Sequence, residues 1–107
     1  MKELETEFSE DFVKGMQNRM IVSFHKYGPI KDAYPHKVNA LKSLEIRINK
    51  YKETKNTEYL IDAANFLMIE FMYPSIEGAY FKGTDSNESP GRISTEDKHT
   101  YKRNEDL

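Results

Sequence analysis

The chain has no cysteine among its 107 residues. That excludes disulfides, thiol catalysis and zinc sites built on Cys. It also lacks a long apolar run, since no stretch approaches the ~20 apolar residues that span a bilayer. Neither Gly-x-Gly-x-x-Gly nor a Gly-Lys-Ser/Thr phosphate loop is present, and no Ser/His/Asp arrangement appears. Residues 1–30 carry no apolar run or small-residue cleavage site of a signal peptide, and they open with acidic residues, so the expected compartment is the cytoplasm. Charge of one sign is missing as well. Sixteen Lys and Arg stand against 18 Asp and Glu, for a formal net charge of −2. That balance argues against a duplex nucleic-acid binder, which shows a basic face.

What is present is polar for a globular chain: 37% hydrophobic residues and 32% charged. A chain of this length makes one domain and buries a modest core. The excess of polar residues implies a disordered segment or a fold completed by a partner.

The pattern predicts three helices and a tail. Phe8, Phe12, Met16, Met20, Phe24 and Tyr27 recur every three or four residues, which is one face of a helix over 9–27. Ser9 suits its N-cap, Glu10 and Asp11 its positive end, and Gly28-Pro29 its stop. Residues 29–34 read as a loop. Pro35, tolerated in a first turn, opens a second helix expected over 35–52. Its apolar stripe is Val38, Leu41, Leu44, Ile48 and Tyr51, with Ile46 pointing away towards a possible second subunit. A polar turn at 53–56 predicts that the third helix, 58–73, runs antiparallel to the second. Asn56 or Thr57 is its expected cap.

The third helix is apolar almost all round, so it is expected to be central and buried. Two flanking helices leave one of its faces bare, which predicts a homodimer or higher oligomer unless residues 76–81 fold back over it. The expected architecture is all-α: a three-helix antiparallel bundle over 1–83, completed by oligomerisation, with a flexible polar tail over 84–107.

One polar stripe interrupts the third helix. Glu58, Asp62 and Asn65 fall at i, i+4 and i+7, on one side. Glu45 of the second helix is close enough in phase to face the same space. Carboxylates placed this way suit Mg²⁺, which takes oxygen ligands and keeps waters for phosphate to replace. The plainer reading is that Asp62 and Asn65 hydrogen-bond Arg47, Lys50 or a tyrosine, because buried polar groups must be paired. His36, Lys37 and Lys42 are placed to meet a phosphate near the second helix's N-terminus, although a solvated face explains each one alone. Arg19, Lys26, Lys31 and Lys37 make a modest basic rim around the first loop. Residues 83–92 offer hydroxyls, glycines and Arg92, which can fork onto phosphate, although a linker has the same composition.

Lys26-Tyr27-Gly28, then Ala40-Leu41 and Leu44, then the run Tyr59-Leu60-Ile61-Asp62-Ala63-Ala64-Asn65-Phe66-Leu67-Met68 resemble the MazG-like all-α nucleoside-triphosphate pyrophosphohydrolases. The small, divergent members found in bacteriophages and prophages are the most similar. The resemblance spans about residues 8–73, and Asp-x-x-Asn on an apolar helix is its most specific piece. It implies Mg²⁺ held by Asp62, with Glu58 and Glu45 as weaker matches, and Asn65 orienting water or base. Lys37 or Arg47 would then steady the phosphates. It also implies the host-cell cytoplasm for a phage-encoded chain. The family's earlier helix carries Glu-Glu-x-x-Glu, whereas this chain offers only Glu45 there. Three functions follow: a Mg²⁺-dependent pyrophosphohydrolase, a non-catalytic protein that binds or sequesters a signalling nucleotide, and a helical protein-interaction module.

Overall fold

A computed structural model describes residues 4–84. These are all-helical, with no strand among them: α1 Glu10–Tyr27, a 3₁₀ turn Ile30–Asp32, α2 Ala40–Thr54 and α3 Glu58–Met72. None of these helices is long and apolar enough to cross a membrane. Helix α3 is central, packing extensively on α2 and more lightly on α1.

The ends of α1 follow the sequence. Ser9 is extended and its hydroxyl accepts a hydrogen bond from Phe12 N at 3.0 Å. Gly28, at φ 84°, returns its N–H to Phe24 O, a backbone angle that glycine adopts without steric cost. The start of α2 departs from expectation. Pro35 does not open it; residues 34–38 stay in turns, with Lys37 N and Val38 N both bonded to Ala33 O. Asn39 is the cap instead, extended at φ −102° with its side chain accepting from Lys42 N at 3.1 Å. An Asn that satisfies an orphan N–H outcompetes a proline that is merely tolerated. At the next junction Asn56 Oδ1 accepts from Glu58 N at 3.0 Å, while Thr57 makes no side-chain cap.

The core of the single chain is small. Among the described residues the buried apolar ones are Ala40, Ala63 and Ile69, joined by one buried polar residue, Asn65. Helix α1 buries no residue at all. The face of α3 that carries Leu67, Phe71 and Met72 is exposed. Residues 76–81 do not cover it: Ile76, Tyr80 and Phe81 are themselves exposed, and Phe81 meets Phe71 only edge to face at 6.4 Å. So α3 is central within the chain, yet the face that carries Leu67, Phe71 and Met72 is bare. The expected flexible tail, apart from Thr84, lies outside the described residues.

Candidate functional site

A cleft of about 250 Å³ opens between the second half of α1, the loop that follows it, Arg47 of α2, and α3. From α1 come Arg19, Met20, Val22, Ser23, Lys26 and Tyr27; from the loop Ile30 and Tyr34; from α3 Asp62, Asn65, Phe66 and Ile69. Helical spacing explains the grouping. Arg19, Ser23, Lys26 and Tyr27 recur on one side of α1, and Asp62, Asn65, Phe66 and Ile69 on one side of α3.

Asp62 sits between two guanidinium groups. Its Oδ1 accepts from Arg19 Nε at 3.0 Å and its Oδ2 from Arg19 Nη2 at 3.3 Å, a two-pronged pairing. Arg47 Nε stands 3.5 Å from Oδ2, an ion pair without hydrogen-bond alignment, and is left buried with no hydrogen-bond partner. The Arg47 guanidinium also lies 5.7 Å from the centre of the Phe66 ring, a cation–π contact. The hydrogen bond from Arg19 to Asp62, and the carboxylate charge behind it, hold the Arg19 guanidinium above its ordinary pKa, with Glu58 adding to that field. Burial raises the Tyr34 phenol, and the positive charge of Arg47 works against that rise.

Asn65 is the cleft's one buried polar side chain, 5% exposed. Its Nδ2 donates to the Met16 carbonyl at 3.0 Å, tying α3 to α1. That bond fixes which end of the amide is the oxygen, because a carbonyl accepts only from N–H. Oδ1 is thereby left buried without a donor. Immediately before Met16, Gly15 lets α1 come close: a Cβ there would lie 2.8 Å from Ile61 Cδ1.

Asp62, Asn65 and Arg47 all line the cleft, with Asp62 hydrogen-bonded to Arg19 and ion-paired with Arg47, and Asn65 bonded to the Met16 carbonyl rather than to Arg47, Lys50 or a tyrosine. The other expected ligands do not join them. Glu45 and Glu58 are exposed, and among the described residues no three His, Asp or Glu side chains gather as a metal would require. The donor set does not fit Mg²⁺: its one cleft carboxylate is already shared by two arginines, in a setting that repels a cation. Lys37 sits in the turn before α2 rather than at a helix N-terminus, is exposed, and lines no part of the cleft. Arg92 lies outside the described residues. Sequence reading gave Arg19 only to a basic rim and passed over Tyr34 and Phe66. The signal for Arg19 was present, since it falls on the α1 face shared with Met16 and Met20, where a charge needs a partner.

No protein-family model, no curated protein and no solved structure matches this chain.

Proposed function

We propose that this cleft binds a nucleotide-class anion without a metal, the non-catalytic form of the MazG-like reading. The observation that carries it is the surplus of positive charge: Arg19, Lys26 and Arg47 line a space that holds one carboxylate, Asp62. An anion there gains charge-assisted hydrogen bonds, and Arg47 Nε has none to give up. Tyr27, Tyr34 and Phe66 supply flat surface beside the charges, which suits a base more than a bare phosphate. The volume lies just under the ~300 Å³ at which small-molecule pockets begin, so the ligand seats its charged end and part of its body. The same charge surplus weighs against the Mg²⁺-dependent hydrolase, because the cleft has no carboxylate left to spare for an ion.

The test is calorimetric titration of ATP, GTP, CTP and UTP in EDTA. Binding of at least one is expected, with a loss of tenfold or more on Arg47→Ala and on Arg19→Ala. No detectable binding of any of them by the wild-type chain would end the proposal.

A second observation supports the oligomeric part of the reading, a three-helix antiparallel bundle completed by another copy of itself. Val13, Ile21 and Phe24 on α1 and Leu67 and Phe71 on α3 are more than half exposed, while only three apolar residues are buried among the described residues. Apolar area on that scale is rarely left to water. Light scattering is expected to give the mass of two 12.6 kDa chains. A single-chain mass at micromolar and higher concentrations would contradict it and favour the protein-interaction reading.

A further inference from the structure

We infer that Asn65 Oδ1 selects the ligand: the occupant of the cleft must donate an N–H or O–H to this oxygen while its anionic group lies among Arg19, Lys26 and Arg47. The inference rests on the anion-binding reading above and names what that reading leaves open, the uncharged half of the ligand. Two facts carry it. Asn65 lines the cleft and is the one polar side chain among the described residues that is buried. Its amide is committed through Nδ2 to the Met16 carbonyl, so it cannot turn over to present a donor, and Oδ1 is left with no partner.

The chemistry of selection follows from the cost of an unmet acceptor. Oδ1 has almost no surface open to solvent, so bulk water does not serve it in the empty cleft. A ligand whose donor reaches it relieves a buried acceptor, one without a donor leaves it stranded, and sites of that kind reject analogues that lack the group. Inorganic tripolyphosphate and phosphate esters of simple alkyl chains have no donor to offer beside the anion. A nucleotide has several, on the base edge and on the ribose. The class recognised is therefore an anion with a donor-bearing body, among which the flat faces of Tyr27, Tyr34 and Phe66 favour a phosphorylated nucleoside, and the discriminating contact is a single acceptor on α3.

The test compares inorganic tripolyphosphate with the four ribonucleoside triphosphates in EDTA, by calorimetry, on the wild-type chain and on Asn65→Ala. The wild-type chain is expected to prefer its best nucleotide over tripolyphosphate by tenfold or more. Asn65→Ala is expected to lose tenfold or more of its affinity for that nucleotide beyond whatever it loses for tripolyphosphate, so that the preference collapses, a pattern general unfolding does not give. Should the variant fail to fold by circular dichroism, the ligand is edited instead. Each N–H or O–H donor of the best-bound nucleotide is removed in turn, as in 2′-deoxy and deaminated analogues, and one removal is expected to cost the wild-type chain at least tenfold. A preference unchanged in Asn65→Ala, or no single donor that matters, overturns the inference while the anion-binding reading stands. Failure of tripolyphosphate and every nucleotide to bind the wild-type chain overturns that reading itself.

Discussion

Towards α2, helix α3 makes its larger contact, and among the described residues the buried hydrocarbon sits on these two helices, as Ala40 and Ala63, with Ile69 on the cleft side. Towards α1 it presents a carboxylate and an amide: Asp62 grips Arg19, and Asn65 donates to Met16 O. The first contact is broad and tolerant, as hydrophobic packing is. The second is narrow and directional, and it leaves a cleft where the helices part. The contrast suggests why a helix that buries no residue is nevertheless held in register: α1 is latched by a few polar contacts and one close approach at Gly15.

Breaking the close approach should have the largest effect. Gly15→Leu drives a side chain into Ile61 and should destabilise the chain by about 1–3 kcal/mol or more, the usual range for overpacking. Urea unfolding followed by circular dichroism reads it. An unchanged midpoint would mean that α1 is not docked at Gly15.

Next comes the latch. Asp62→Ala removes both hydrogen bonds to Arg19 and the ion pair to Arg47, and about 1–2 kcal/mol is expected. Arg19 is about half exposed (47% of its side chain), and solvent screens its share. A double-mutant cycle with Arg19→Ala should therefore give a coupling of only about 0.5–1 kcal/mol. A coupling near zero would reduce the pair to a surface ornament of the fold.

The helices themselves were legible in the sequence, because each rests on a local signal: the period of Phe12, Met16 and Met20, the Ser9 cap, the Gly28 stop. The start of α2 was not, because Pro35 and Asn39 both suit a helix N-terminus and only the backbone around Ala33 decides between them. The site was half legible. A polar stripe on an apolar helix marked Asp62 and Asn65, and periodicity placed them on one side. It could not say which cation from another helix would meet them, since Arg19 lies 43 residues away in the chain. Nor could it say that Glu45 and Glu58 would face water, because a helical wheel gives phase without the position of neighbours. The MazG-like resemblance drew the acids towards a metal; the arginines around Asp62 point the same residues towards an anion.

The smallest expected effect concerns Tyr34, at the edge of the cleft. Burial raises its phenol above the ordinary value, so the folded chain holds that proton more tightly than the unfolded chain does. Its contribution to stability is then fully present below about pH 10, the unfolded phenol's pKa, and is lost as pH rises through the higher folded value. Unfolding midpoints compared at neutral pH and above pH 10 should show a smaller alkaline loss in Tyr34→Phe than in the parent chain. Equal losses would place the titrating phenol elsewhere.

The account turns on what Asp62 does in the cleft, and one substitution separates the two possibilities by sign. Asp62→Asn keeps the shape and removes the negative charge from among the cations. If the cleft takes an anion directly, the variant binds the preferred nucleotide in EDTA several-fold to about tenfold more tightly than the parent chain, because a repulsion of order 1 kcal/mol is gone. If instead nucleotide binding needs Mg²⁺ in the parent chain and disappears in Asp62→Asn, then Asp62 is a metal ligand and the account is wrong at its centre.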